Sequence, residues 1–142
     1  MNGDIRNRII GEVMQSDVVT IGMYSPVSDA VKILEENSFH HIPVMDDEDK
    51  LIGMLSQTDI DKVSWGKSFF QSEKRDDLNT SVYESWLVKD IMTRNVHFLY
   101  DDQTVGQAIK IFYGGKFHAL PILNEGNVVG IITPQDILNL LL

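Results

Sequence analysis

The sequence of 142 residues contains no cysteine. Without thiols the chain cannot form disulfides, thiolate metal sites or a cysteine nucleophile, and this composition fits the cytoplasmic location that we expect. No apolar run approaches the ~18 residues that a membrane-spanning helix needs, so we expect no membrane association. The first ten residues, MNGDIRNRII, lack the apolar segment of a secretory signal.

Basic residues are also scarce. Lys and Arg number 12 against 21 Asp and Glu, and the net charge is −9. A chain of this charge repels a phosphate backbone, and no basic stripe is present, so nucleic acid is not an expected partner. A small anionic ligand remains possible because it responds to local charge. The fractions of hydrophobic (43%) and charged (23%) residues are typical of a globular domain.

The chain instead contains an internal duplication of about 48 residues, between residues 13–60 and 91–137. A repeat of this length corresponds to a complete supersecondary unit. The two copies align at an offset of 78, which becomes 77 after one extra residue in the acidic turn of the first copy. The positions that match include Met14 and Met92, Val27 and Val105, Phe39 and Phe117, Pro43 and Pro121, Gly53 and Gly130, and Asp59 and Asp136.

Each copy shows the pattern of a β-α-β-β-α unit. Apolar residues at helical spacing predict a helix from Val27 and another from Val105. Ser25 is the predicted N-cap of the first helix, with Pro26 at its first helical position, and Asn37 is its predicted end. Gly114 and Gly115 are predicted to end the corresponding helix. Strands are predicted at residues 18–21, 42–45, 51–55, 96–99, 120–123 and 128–132, and a second helix after Ser56 and after Thr133.

These patterns predict an α/β fold with one repeat at residues 11–62, a linker at 63–87 and a second repeat at 88–142. The linker is expected to continue a helix to about residue 70, to form a polar loop, and to become helical again from about residue 82. Its aromatic residues either cover an exposed edge of the core or contact a partner; they are Trp65, Phe69, Phe70, Tyr83 and Trp86.

The repeated motif h-P-h…G-h-h-[S/T]-x-x-D, preceded in the second copy by DIMTRNV, resembles the cystathionine β-synthase (CBS) domain. The resemblance covers about residues 11–60 and 88–142. It implies a tandem pair of repeats packed into one module, which homodimerises and regulates an attached or partner protein. It also implies binding of an adenosine-type ligand, such as AMP, ATP, NAD or S-adenosylmethionine, in clefts between the repeats.

The [S/T]-x-x-D motif has two readings here. Ser56 with Asp59, and Thr133 with Asp136, fit a capping box, in which the hydroxyl and the carboxylate each accept a backbone N–H at a helix start. By resemblance to the family, the same Asp binds ribose hydroxyls and the Ser or Thr lies near a phosphate. A carboxylate suits a neutral diol better than it suits a phosphate.

The segment before the second strand of each copy is the other candidate binding element. The resemblance implies that it lines the adenine side of a cleft, with Phe39 and Phe117 packing on the base and Lys116 reaching a phosphate. The alternative is that both phenylalanines belong to the core and that the histidines are half-exposed residues at the start of a strand. The candidate residues are Phe39, His40, His41, Ile42, Pro43, Lys116, Phe117 and His118.

The two implied clefts are unequal. Thr20 matches a position where the family often carries a ligand-contacting threonine, whereas the second copy has Phe98 there. The cleft that we expect to be more complete combines Thr20, Phe39, His40, His41, Thr133 and Asp136. The other combines Phe98, Lys116, Phe117, His118, Ser56 and Asp59, and is expected to be altered, partly filled by Phe98, or empty.

The residues do not indicate an enzyme. The acidic turn at 46–49 lacks the spacing of a calcium loop, and adjacent histidines on a strand point to opposite faces, so no metal site is expected. No nucleophile elbow, P-loop or dinucleotide fingerprint is present.

We therefore expect a stand-alone regulatory module that senses AMP, ADP or ATP and acts on an unidentified protein. The alternative is a ligand-free dimerisation and interaction scaffold. The apolar end at residues 137–142 either contributes to a homodimer or packs within the monomer.

Overall fold

The computed structural model describes residues 3–68 and 86–142 of the chain. Within them the elements are a 3₁₀ turn at Ile5–Asn7 and, in chain order, α1 Ile10–Val13, β1 Ile21–Gly22, α2 Val27–Glu36, β2 His41–Met45, β3 Leu51–Ser56, α3 Gln57–Ser68, α4 Val88–Ile91, β4 Leu99–Tyr100, α5 Val105–Tyr113, β5 Leu120–Asn124, β6 Asn127–Ile132 and α6 Pro134–Asn139. The predicted α/β fold and its duplicated β-α-β-β-α order are confirmed.

The chain divides into two compact units that cut across the order of the sequence. The repeat-1 unit comprises residues 19–95, and the repeat-2 unit comprises residues 1–18 together with 96–142. The first residues of each copy, together with the segment before them, thus pack against the other copy. In the repeat-2 unit, Gln15 forms an isolated β-bridge with Ile131; in the repeat-1 unit, Thr93 forms the corresponding bridge with Met54. The predicted repeat boundaries were drawn on the duplication, and they stay a prediction.

Each unit contains a three-stranded sheet with the same topology. In the repeat-1 unit β1 lies parallel to β2, and β2 lies antiparallel to β3; β4, β5 and β6 repeat this order in the repeat-2 unit. The hairpin register places Val44 opposite Gly53, and Ile122 opposite Gly130, with a bulge directly after each. The duplication therefore preserves the register and the irregularity.

The apolar faces of the helices account for the two cores. Val27, Ala30 and Leu34 of α2 are buried against Ile42, Val44 and Leu55 of the sheet. The repeat-2 core is built from corresponding positions, with Ile10 of α1 corresponding to Val88 of α4 in the repeat-1 core. It consists of Ile10, Leu99, Val105, Ala108, Leu120, Ile122, Ile132 and Ile137. The predicted faces of α2 and α5 are confirmed.

The first strand of each copy differs from its prediction. Residues 18–21 and 96–99 were expected to be extended strands, but β1 is Ile21–Gly22 and β4 is Leu99–Tyr100. In the repeat-1 sheet, only two residues of this segment pair with the neighbouring strand β2: Ile21 lies opposite Val44, and Gly22 lies opposite Met45. Alternation of apolar residues gave no indication of where this short pairing begins.

The predicted start of α2 is wrong by one residue. Pro26, not Ser25, is the N-cap, and it has extended backbone angles and makes no side-chain capping bond. The reason is the neighbouring segment before the second copy: the Ser25 carbonyl accepts from the Val88 N–H at 2.8 Å, and the Trp86 carbonyl accepts from the Val27 N–H at 2.8 Å. The helix start is therefore completed by residues distant in sequence. The ends at Asn37 and Gly114 are as predicted.

The linker is described only at its two ends. The helix predicted to continue after Asp59 extends to Ser68 as part of α3. On the other side, Trp86 is exposed and α4 begins only at Val88, so the described part of the predicted helix is short. Phe69, Phe70, Tyr83 and the side chain of Trp65 lie outside the described residues. In the described part of the chain no helix is long and apolar enough to cross a membrane.

The apolar end of the chain is divided between core and solvent. Ile137 is buried and Leu140 packs partly against the repeat-2 core. Leu138 and Leu141 remain exposed. Packing within the monomer therefore accounts for only part of this segment.

Candidate functional site

The two carboxylates of the [S/T]-x-x-D motif both sit in capping boxes. The Thr133 N–H donates to Asp136 Oδ2 at 2.8 Å, and the Asp136 N–H donates to Thr133 Oγ1 at 3.4 Å. In the repeat-1 unit, the Ser56 N–H donates to Asp59 Oδ2 at 3.0 Å and the Asp59 N–H donates to Ser56 Oγ at 3.1 Å. The capping reading is confirmed, and ligand contact by the same carboxylates stays a prediction.

The two carboxylates nevertheless differ in their other partners. Asp136 Oδ2 also accepts from Thr133 Oγ1 at 3.1 Å, and Asp136 Oδ1 accepts from the side-chain amide of Gln15 at 2.8 Å. Among the described residues, Asp59 Oδ1 has no hydrogen-bond donor. The residue that corresponds to Gln15 in the other copy is Thr93. The sequence did not single out Gln15, because 121 residues separate it from Asp136 and nothing local marks the contact.

The histidine segment of the first copy leads directly into β2. Phe39 is half-buried against the repeat-1 core, His40 is exposed, and His41 lies opposite Ser56 in the hairpin register. Ile42 and Pro43 are fully buried. Both residues therefore have almost no accessible surface, and ligand contact at either of them stays a prediction.

The corresponding segment of the second copy has a different neighbour. Phe117 is half-buried against the repeat-2 core, and the ring of His97 packs on it edge to face with centroids 5.2 Å apart. Lys116 and His118 are exposed on either side. His97 has no place in the motif and was missed, because the matching residue of the first copy is Val19.

The position that distinguishes the copies carries Thr20 in one unit and Phe98 in the other. Thr20 is exposed immediately before β1. Phe98 is 37% exposed and packs edge to face on Tyr100, with ring centroids 5.5 Å apart. The repeat-2 unit thus has two packed aromatic residues, Phe98 and Tyr100, at the positions where the repeat-1 unit has Thr20 and Gly22.

The acidic turn of the first copy is explained by its own hydrogen bonds. The Asp46 carboxylate accepts from the N–H groups of Glu48 and Lys50 at 2.8 and 2.9 Å, and Asp49 has a positive φ of 59°. The acidic residues here shape a turn. Within the described ranges, no three Asp, Glu or His side chains lie close enough together to hold a metal ion.

The family model for the CBS domain matches residues 10–66 and 88–142 of this sequence. The chain belongs to the CBS domain family. The match covers both copies, as the internal motifs predicted.

Among curated proteins, inosine-5′-monophosphate dehydrogenase of Methanocaldococcus jannaschii is 31% identical over 128 residues, which is 89% of this chain and 22% of that enzyme. Homoserine O-acetyltransferase of Methanobrevibacter ruminantium is 25% identical over 142 residues, or 26% of its length. This chain thus spans about a quarter of the length of these enzymes.

Solved CBS pairs share the fold over almost the whole chain. CBSX2, solved in complex with AMP, superposes with a TM-score of 0.75 at 23% identity and covers 94% of this chain and 95% of its own. The CBS pair of protein MJ0100, solved with 5′-methylthioadenosine and S-adenosyl-L-methionine, has a TM-score of 0.74 at 24% identity and covers 95% of this chain and 96% of its own. At these identities the likeness establishes the fold.

Proposed function

We propose that this CBS pair is a regulatory module that binds an adenosine-type ligand, with AMP, ADP or ATP as the leading candidates. The observation that carries the proposal is the pair of half-buried carboxylates, Asp59 and Asp136, held at the start of equivalent helices. Similar CBS pairs have been solved with AMP and with S-adenosyl-L-methionine, which supports an adenosine ligand as the common chemistry.

The proposed roles follow the chemistry of each side chain. An ionised carboxylate only accepts hydrogen bonds, so Asp59 and Asp136 suit ribose hydroxyls, which can donate them. The exposed ammonium of Lys116 suits a phosphate, which only accepts. Phe39 and Phe117 present an aromatic surface to a base, although both also pack against their cores.

We keep the ranking that the sequence predicts, in which Asp136 contributes more affinity than Asp59. The ranking rests on Thr20, whose counterpart Phe98 is bulky and packed on Tyr100. Asp136→Ala is therefore expected to weaken AMP binding more than Asp59→Ala. Equal losses of AMP affinity in the two variants would contradict the ranking, but they would not contradict the proposal that the ligand is an adenosine derivative.

Thermal unfolding with AMP, ADP, ATP, NAD or S-adenosylmethionine tests the function itself. A ligand that binds the native state raises the unfolding free energy, by about 2.7 kcal/mol when its concentration is 100 times Kd. We expect at least one adenine ligand to raise Tm, and Asp136→Ala to reduce that rise. If none of the five raises Tm at millimolar concentration, the proposal is wrong.

A matched control separates the cap from the ligand contact. Thr104 and Gln107 form a capping box on α5, remote from the [S/T]-x-x-D motif in sequence. Gln107→Ala should lower Tm much as a lost cap does, because it removes the acceptor for the Thr104 N–H. It should not change the rise in Tm that the ligand produces, whereas Asp136→Ala should change both.

The second candidate is a ligand-free interaction scaffold, possible because apolar side chains remain exposed at Tyr113, Leu138 and Leu141. Under this alternative Asp136→Ala lowers Tm and no adenine ligand ever raises it.

In our leading proposal, ligand binding shifts the population of conformations of the module, and another protein responds to the change. We also propose that the module homodimerises.

A further inference from the structure

We propose that Gln15 limits the affinity of Asp136 for a diol by occupying one of its carboxylate oxygens. This inference rests on the proposed function, because it concerns how the same carboxylate receives a ribose. The two residues lie in the same compact unit, and the amide nitrogen of Gln15 is 2.8 Å from Asp136 Oδ1.

Counting acceptor sites shows the effect of this contact. An ionised carboxylate offers about four lone-pair sites. Asp136 already uses two on Oδ2, for the N–H and hydroxyl of Thr133, and one on Oδ1 for Gln15. About one site is left, whereas a ribose that donates from both its 2′- and 3′-hydroxyls needs two.

The other carboxylate does not carry this restriction. Asp59 Oδ2 accepts from the Ser56 N–H, and among the residues that the structure describes no side chain donates to Asp59 Oδ1. Within the described part of the chain the Ser56 N–H is the one donor to this carboxylate, so about three sites remain; Thr93, at the position equivalent to Gln15, makes no bond to it there. Asp59 therefore has acceptor sites for both hydroxyls of a diol, and Asp136 has them only when the Gln15 amide releases it. The higher rank that we give Asp136 rests on Thr20 and not on its free acceptor sites.

The Gln15 contact is a side-chain contact that can be removed without disturbing the backbone. The backbone of Gln15 pairs with Ile131 in both directions, at 2.9 and 3.0 Å, and this pairing does not depend on the side chain. Gln15→Met keeps the length of the side chain and removes its amide, and with it the donor to Asp136. Gln15→Thr, which introduces the residue found at position 93, is the second variant should the first not fold.

The test measures AMP and 2′-deoxy-AMP by calorimetry in an Asp59→Asn background, where Asp136 is the one remaining motif carboxylate. With Gln15 present, the two ligands should bind with similar Kd, because only one hydroxyl finds an acceptor. In Gln15→Met, AMP should bind roughly 10- to 100-fold more tightly, the gain of one charge-assisted hydrogen bond, while 2′-deoxy-AMP is unchanged.

The change in the ratio of the two Kd values separates this role from a structural one. A variant that merely alters packing would shift both ligands equally. Gln135→Met is the matched control, since Gln135 is an exposed glutamine of α6 that bonds Asn139 and not Asp136. It should leave the ratio unchanged.

Two results would overturn the inference. If AMP binds but Gln15→Met and Gln15→Thr leave the ratio at its original value, Gln15 does not limit Asp136 and the proposed function stands. If AMP binds neither the wild-type chain nor any variant, the inference fails for AMP, and the proposed function fails with it only if ADP, ATP, NAD and S-adenosylmethionine do not bind either.

Discussion

Alanine at Gly130 is the substitution with the clearest consequence for the fold. A Cβ built on Gly130 would come into steric conflict with Met14 Sδ and would lie 2.9 Å from the Gln15 carbonyl oxygen. That oxygen belongs to the backbone bridge with Ile131, so it cannot move away as a side chain can. The chain around Met14 and Gln15 would have to shift for the methyl group to fit.

The change in the free energy of unfolding follows from two opposing effects. Overpacking of this kind costs about 1–3 kcal/mol. Replacing glycine by alanine where the backbone is ordinary stabilises by about 0.4–1 kcal/mol through the unfolded chain, and Gly130 has no positive φ. We therefore expect Gly130→Ala to lower the free energy of unfolding by about 1–2 kcal/mol, which lowers Tm by roughly 3–7 °C in a chain of this size.

The duplication supplies a comparison and a control. At Gly53 the added Cβ would lie 2.5 Å from Met92 Sδ and 3.1 Å from the Thr93 carbonyl oxygen, so Gly53→Ala should cost somewhat less than Gly130→Ala. At Gly22 the nearest atom, Ser25 Oγ, is 3.6 Å away, and Gly22→Ala should be neutral or slightly stabilising. Urea denaturation gives all three values. A Gly130→Ala chain as stable as Gly22→Ala would refute the reasoning.

Two smaller effects are expected elsewhere. Removing the cap hydroxyl in Ser56→Ala or in Thr133→Ala should lower the free energy of unfolding by about 1 kcal/mol in each case. The Thr133 capping bond is longer, 3.4 Å against 3.1 Å, but its hydroxyl also donates to Asp136 Oδ2 at 3.1 Å; chemical denaturation of both variants checks the two values. Hydrogen bonds from Arg6 lower the pKa of Asp4 from its usual 3.8 to about 2, so the stabilisation from this exposed pair is present above pH 3.8 and is lost as the pH falls through 2. A carboxylate NMR titration of the wild type and Arg6→Ala should show the midpoint of Asp4 returning towards 3.8; an unchanged midpoint would rule out Arg6 as the cause.

Methionine and glycine illustrate what the duplication could and could not predict. Met14 and Met92, like Gly53 and Gly130, were recognised as constant positions without a reason for their constancy. The structure supplies it: each methionine lies directly over the glycine of the other copy's hairpin, where any larger residue would collide. Helix faces and hairpins could be predicted because periodicity is a local signal, but this contact joins residues about 40 or 115 positions apart.

The errors have the same physical origin. Ser25 was predicted to cap α2 from its local sequence, yet its carbonyl is paired with the segment that begins at Val88. The motif carboxylates could be located from sequence because a capping box is local. Gln15, which makes them unequal, could not, because its contact with Asp136 depends on the exchange of segments between the two copies.

Calorimetric titration of the full chain with AMP tests the central claim most directly. We predict saturable binding with a Kd below 1 mM, a threshold of about −4.1 kcal/mol, and weaker binding to Asp136→Ala than to Gln107→Ala. The absence of saturable heat for AMP, ADP, ATP, NAD and S-adenosylmethionine alike would contradict the account and leave the carboxylates as helix caps alone.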